Sequence, residues 1–276
     1  MATIPEPIDI KIDTGQSVHF DFTASSRIES FFAIALAKTG STLLHRMLTD
    51  ICIADRYPII DMHARFFARG IKNTDWMDCE SLNELVKKGY AYIGFRIVPR
   101  AIVQNPVFRS SKKILMIRDP RDVAVSMYFS IVYSHRVPKK GDISQWMDQS
   151  RKNSIKADID KWVRQVMGGP LRARWTDFIN LYQSSDDCLL IRYEDIIFDK
   201  LKMVNLLCDY LGITLDVGLK SAIAEKHHIL PSKERISNHI RKATPGDHKE
   251  KLSAETIEFI NEAYSDAMQE FNYDTQ

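Results

Sequence analysis

The sequence predicts an α/β domain, a central parallel sheet flanked by helices, on three observations. Four short runs are rich in apolar and β-prone residues: "FFAIALA" (31–37), "YAYIGFRIV" (90–98), "KILMIR" (113–118) and "CLLIRYED" (188–195). They lack an alternating polar face, as strands buried on both faces do. Segments with apolar residues at helical spacing lie between and after them, and strands alternating with helices make βαβ units.

The elements follow in order. "TLLHRMLTDIC" is a helix directly after the first strand. "RDVAVSMYFSIV" is a second, opened by Pro120, whose fixed φ and missing N–H suit a first helical position. "ADIDKWVRQVM" stops at Gly168-Gly169-Pro170, and "LRARWTDFINLY" follows. "KMVNLLCDYLG" ends on Gly212, a C-cap residue, and "AETIEFINEAYSDAMQEF" closes the chain. Residues 135–160 and 225–250 are polar and aperiodic, so long loops are expected there; such loops in α/β enzymes often serve as lids. The expected organisation is one domain over 1–276, with 1–27 an N-terminal extension and 225–250 a closing loop.

Composition narrows the function. The chain has 276 residues, a net charge of +2, 45% hydrophobic and 27% charged residues. That supports a core of domain size and argues against a general nucleic-acid coat, while leaving room for a local basic pocket. Cys52, Cys79, Cys188 and Cys208 show no metal-ligand spacing, so reduced thiols and no metal site are expected. The N-terminus lacks the basic and apolar regions of a signal peptide, and "FFAIALA" is far short of the roughly 20 residues of a membrane span. The expectation is a soluble cytoplasmic protein without nucleic-acid or membrane partners.

Three segments carry candidate chemistry. "AKTGST" joins a strand to a helix, where backbone N–H groups and the helix dipole bind anions. Gly40 allows close approach, Ser41 and Thr42 add hydroxyls, and Lys38 adds a point charge. A plain turn with an exposed lysine is equally consistent with the hexapeptide alone. The lysine precedes the only glycine, unlike the G-x-x-x-x-G-K-[ST] loop of nucleotide triphosphatases. In "KKILMIRDPRDVAVSMYFS", Arg118 ends a strand and suits a bidentate phosphate grip, with Ser126 beyond it. The alternative is an ion pair of Arg118 with Asp119 or Asp122. In "RKATPGDHK", Arg241 and Lys242 are either ligands or part of a solvated charge run.

Together these segments resemble the sulfotransferases that use 3′-phosphoadenosine 5′-phosphosulfate (PAPS), nearest to the cytosolic type, as a divergent member. "AKTGSTL" is similar to that family's P-K-[ST]-G-[ST]-T-W loop, "RDPRDVAVS" to its R-[DN]-P-[KR]-D-V-A-V-S motif, "RKATPGDHK" to its R-K-G-x-x-G-D-W-K loop, and "IRYEDI" to its Y-E-D segment. The order is the family's, and the segments span residues 31 to 260. The resemblance implies a P-loop-like sulfotransferase fold and metal-independent sulfuryl transfer to a small-molecule hydroxyl or amine, with PAP as product. By position, Lys38 would neutralise the bridging oxygen, and Thr39, Gly40, Ser41 and Thr42 would cradle the 5′-phosphate. Arg118, Ser126, Arg241, Lys242 and the backbone of Ala243 would hold the 3′-phosphate. Tyr193 and Leu43 would lie at the adenine.

The departures are specific. Leu43 replaces the stacking tryptophan, "SAIAEK" (221–226) stands for the S-F-x-x-M element, Ala243 replaces a glycine, and His248 replaces the loop tryptophan. Ile97 in "GFRIVP" occupies the place of the family's catalytic histidine, while Arg96 would act as a second sulfuryl clamp. An alcohol acceptor still has to lose a proton. Asp61 and His63 of "IIDMHARFF" are candidate bases, with His135 a third. An amine or an ionised phenol would need less help. Acceptor contacts are expected from 61–80, 130–160 and 225–240, including Phe66, Phe67, Trp76, Tyr133 and Trp146. "KEKLSAETIE" partly resembles a family dimerisation motif, keeping Lys249 and Glu258, which leaves a homodimer open. Two other functions fit the same residues: a catalytically silent PAP or PAPS-binding regulator, and an ATP-dependent phosphotransferase.

Overall fold

A computed structural model describes residues 4–134, 158–231, 233–235 and 241–274, with positions 145, 149, 151 and 152. All four apolar runs are strands: β3 (Phe31–Ala35), β5 (Ala91–Phe95), β6 (Lys112–Ile117) and β7 (Cys188–Arg192). A fifth, β4 (Ile59–Ile60), is too short to show as a run. The sheet order is β4-β5-β3-β6-β7, and every pairing is parallel. Because β3 precedes the others in the chain yet sits in the middle, the strand order reverses beside it. A ligand crevice forms at such a switch point, outside the carboxyl ends of the strands.

Every residue of β3 is buried, which requires cover on both faces. Alternate side chains divide as the two-residue strand period dictates. Phe31, Ala33 and Ala35 pack with Leu44, Met47 and Leu48 of α1 (Ser41–Ala54) and with Met203 and Leu207 further along the chain. Phe32 and Ile34 face the opposite cluster, which includes Val123, Trp162, Trp175 and Tyr264.

The other α-helices with described bounds are α2 (Met62–Ala68), α3 (Arg100–Val103), α4 (Pro106–Ser110), α5 (Pro120–Phe129), α6 (Ile159–Met167), α7 (Pro170–Gln183), α8 (Tyr193–Ile196), α9 (Lys200–Leu211), α10 (Val217–Lys226), α11 (His248–Lys251), α12 (Ala254–Ala263) and α13 (Ser265–Glu270). The expected helices are all present, with three differences. The helix opened by Pro120 ends at Phe129 and passes into a single π turn over Ser130–Ser134. The last segment breaks at Tyr264, whose hydroxyl is buried and donates to the Met167 carbonyl at 2.8 Å. The stretch after β7 curls into α8 instead of extending the strand. All four cysteines are free thiols. Among the described residues no helix is long and apolar enough to cross a membrane.

The N-terminal residues are more than an extension. β1 (Ile8–Lys11) and β2 (Ser17–Phe20) form an antiparallel hairpin whose Ile10, Val18 and Phe20 are buried in the main core. Phe20 packs on Phe66 of α2 with ring centroids 5.9 Å apart. Arg65 and Arg69 of the same helix donate to the carbonyls of His19 and Ser17 at 3.1 and 2.9 Å. The hairpin therefore clamps α2 from outside. Phe20→Ala should lower the unfolding free energy by about 3 kcal/mol in a urea titration. A loss below about 1 kcal/mol, the range of an ordinary surface change, would mean that the hairpin is a mere appendage.

Candidate active site

The loop between β3 and α1 is tightly wound. Lys38 and Gly40 both take positive φ, 72° and 99°. A Cβ at position 40 would sit 2.6 Å from Cε of Met116 and 2.8 Å from a ring carbon of Tyr193, so glycine is required by contact as well as by φ. Gly40 caps α1 without a side-chain hydrogen bond, which leaves the first helical N–H groups without a side-chain acceptor. Thr39 turns inward: its hydroxyl donates to the carbonyls of Leu36 at 2.8 Å and Met116 at 3.1 Å. It fastens the loop to β6 and does not reach the cavity, contrary to the sequence expectation.

A cavity of about 240 Å³ opens at this loop. Every other nucleotide-contact residue expected from the sequence lines it: Lys38, Gly40, Ser41, Thr42, Leu43, Arg118, Ser126, Tyr193, Arg241, Lys242 and Ala243. Arg118 is buried, with its guanidinium 4.6 Å over the Tyr193 ring and Nη2 3.4 Å from Asp122. Its Nε is buried without a hydrogen-bond partner among the described residues. The Tyr193 hydroxyl donates to the Ala243 carbonyl at 2.8 Å, and Ala243 holds φ at 63° where the family has glycine. Glu194, next in the chain, accepts from the N–H of Asp119 at 2.9 Å and from Tyr273 at 3.1 Å, which fixes the turn into α5.

Asp122 joins these parts. It is fully buried on α5 and accepts from the N–H groups of Gly246 at 2.8 Å and His248 at 3.1 Å, and faces Nδ1 of His248 at 2.8 Å. Burial alone would raise its pKa. The His248 hydrogen bond and the Arg118 charge outweigh that and hold the carboxyl well below the usual range. His248, in place of a tryptophan, thus anchors the 241–248 loop.

The cations differ in how they are balanced. Arg241 pairs with Glu234 and Asp247 and lies 4.1 Å over Phe129. Lys242 donates to Asp247 at 3.0 Å and Glu250 at 2.8 Å. The solvated-charge-run alternative thus accounts for part of that loop's bonding. Lys38 has no carboxylate partner among the described residues. Burial, then Arg118, Arg96 and Arg241, lower its pKa to about 8, as expected where cations converge without an anion.

The candidate bases lie outside that cavity. Asp61 caps α2, its Oδ1 accepting from Ala64 at 2.8 Å. His63 stacks on Phe67 at 6.4 Å and meets the edge of Trp76 at 6.3 Å. Burial, with Arg96 and His45 beside it, pushes the His63 imidazole down to about 4. Arg96 lines the cavity as expected, and burial lowers its pKa to about 10 against the opposing Asp61. Of the expected acceptor aromatics, Phe66 and Trp76 stack on each other in the core at 4.4 Å. His135 and Trp146 lie outside the described residues.

Several cavity residues had no sequence signal. "SAIAEK" belongs to α10 and does not line the cavity; His227 and Ile229, just beyond that helix, do. Lys200 also lines it, although its Nζ donates to the carbonyls of Ile196 and Ile197. His45, which does not line this cavity, also carried no sequence signal; it stands four residues after Ser41 and so shares its helix face. Among the described residues no cluster of His, Cys, Asp or Glu is arranged to hold a metal.

This geometry agrees with comparison to known proteins. A family model, the sulfotransferase domain, matches residues 29–272. The chain belongs to the sulfotransferase family. Sulfotransferase 2A2 of Mus musculus is 27% identical over 207 residues, covering 66% of this chain and 68% of that one. Sulfotransferase 2A1 of Mus musculus is 26% identical over 176 residues, 58% of each chain. The crystal structure of mouse sulfotransferase SULT7A1 complexed with PAP aligns over 90% of this chain and 86% of its own, with a TM-score of 0.58 and 16% identity. The sulfotransferase fold is therefore shared, and the low identities mark a divergent member.

Asp122→Asn should remove about 3 kcal/mol of stability at neutral pH, as when one partner of a buried ion pair is lost. Because the native pKa is depressed, this stabilisation is present above the unfolded aspartate value near about 4 and is lost as pH falls through the native one. The gap between wild type and variant, read from urea titrations across pH, should therefore be widest at neutral pH and narrow below about pH 4. A gap that widened on acidification would contradict the assignment.

Proposed function

We propose that this sulfotransferase moves a sulfuryl group from PAPS to a hydroxyl or amine of a small-molecule acceptor and releases PAP. The observation that carries this reading is one cavity lined by Lys38 and the open N-terminus of α1 together with Arg118, Ser126 and Arg241. A nucleotide with phosphate at both the 5′ and 3′ positions brings the negative charge that such a set of donors and cations lacks.

The residues then divide the work. The N–H groups and hydroxyls of Ser41 and Thr42 bind the 5′-phosphate, with Gly40 admitting it to the backbone. Lys38 meets charge developing on the bridging oxygen, and a bound polyanion would relieve the repulsion that its neighbours impose. Arg96 clamps the sulfuryl oxygens. Arg118 grips the 3′-phosphate from the cavity wall, and Arg241 and Lys242 exchange carboxylate partners for it. Adenine lies among Leu43, Tyr193, Ile197 and Ile229 in place of the family aromatics.

A silent nucleotide-binding regulator is the second reading, favoured by Ile97 at the family histidine's position. An ATP-dependent phosphotransferase is the third, and the placement of Lys38 before the glycine speaks against it. Thermal shift separates them: PAP should raise the melting temperature, and ATP with magnesium should not. Lys38→Ala should still fold and bind PAP while sulfuryl transfer falls at least about 10²–10³-fold, the usual cost of a lost transition-state donor. Retained turnover in that variant would refute the role of Lys38.

A further inference from the structure

Beside the nucleotide cavity, on the far side of Arg96, four titratable groups meet: His45 of α1, Asp61 and His63 of α2, and Arg96 at the end of β5. We propose that His45, held by Asp61, is the base that takes the proton from the acceptor. The proposal rests on the PAPS-dependent reading above.

Three features of the fold point to His45. First, its Nδ1 lies 3.4 Å from Oδ2 of Asp61, the oxygen not used in capping α2. A proton held on Nδ1 by that carboxylate leaves Nε2 as the basic atom, and Nε2 makes no hydrogen bond among the described residues. The His45 side chain is 30% exposed. Second, His45 stands one turn beyond Ser41, and helical side chains lean toward the N-terminus of their helix. The ring therefore leans toward the end of α1 where Lys38 and the sulfuryl group meet. Ser41 and Arg96 line the nucleotide cavity and also border the small gap beside His45. Third, the carboxylate has a built seat. Gly94 takes φ +87°, and a Cβ there would lie 2.7 Å from Oδ1 of Asp61.

The charges facing His45 are Asp61, Arg96 and Arg46. Burial and the two arginines keep the ring neutral, while Asp61 favours the imidazolium that forms on proton transfer. His63 has no such carboxylate: burial, Arg96 and His45 all oppose its protonation. Asp61 is thus a positioning residue and His63 a packing one.

The step balances. The acceptor O–H proton moves to Nε2 of His45 as the oxygen lone pair bonds to sulfur. The bond from sulfur to the bridging oxygen breaks, its electron pair leaves on PAP, and the imidazolium later gives its proton to water.

The test uses the full chain with PAPS and a panel of primary alcohols and nitrophenols. His45→Ala should cut turnover of alcohols about 10²–10⁴-fold, the usual worth of general-base catalysis. It should cut turnover of a nitrophenol already ionised at the assay pH less than about tenfold, because no proton remains to be taken. PAP binding, read by thermal shift, should be unchanged. In ¹⁵N-histidine NMR of the PAP complex, neutral His45 should carry its proton on Nδ1, and Asp61→Asn should weaken that preference and shift the alcohol pH–rate profile. Equal losses for both acceptor classes, alcohol turnover within tenfold of wild type, or a neutral ring protonated on Nε2 would each overturn the proposal. So would a wild type that binds PAP and transfers to no acceptor. Failure of PAP to bind would instead sink the nucleotide reading.

Discussion

Two backbone N–H groups, an imidazole and a guanidinium converge on the carboxylate of Asp122. A buried charge is stable only when its lone pairs are filled and an opposite charge is near. Here the groups that fill them come from β6's end and from a loop more than a hundred residues downstream. Meeting the needs of one carboxylate therefore brings Arg118, Arg241 and Lys242 to a common cavity. The same interaction explains His248: a ring nitrogen can bond to Asp122, and the loop gains an anchor where the family pattern has a tryptophan.

The cavity it organises is held short of charge balance. Arg241 and Lys242 have carboxylates at hand, so the loop is stable before any ligand arrives. Lys38 and the Nε of Arg118 are less well served. Preorganised donors that await their charge cost stability, and they return it by needing little rearrangement when the charge arrives. The fold meets this cost with the rest of the molecule: a fully buried central strand, covered on both faces, and a hairpin that clamps α2 from outside.

Much of this was legible in the sequence because it rests on local rules. Unbroken apolar runs are the four long strands, and a glycine between strand and helix marks the loop that opens the cavity. Arg118 and Ser126 were readable because a strand end and the first turns of the next helix fix both. What escaped depends on distant contacts. β4 is two residues long and carries no period. The hairpin's apolar residues gain meaning only against Phe66 and Arg65. Thr39 has the chemistry of a ligand, but Met116 and Leu36 claim its hydroxyl. His45 sits in a helix whose period explains its neighbours, and only the carboxylate opposite sets it apart.

Gly94 has a consequence for how this chain can vary. Its missing side chain is the space that Asp61 occupies, so the two positions are linked by contact although thirty-three places separate them in the chain. The link is not the whole constraint, because φ of +87° strains any side chain at 94 even with residue 61 shortened. Freeing position 94 therefore takes a change of backbone as well as a change at 61.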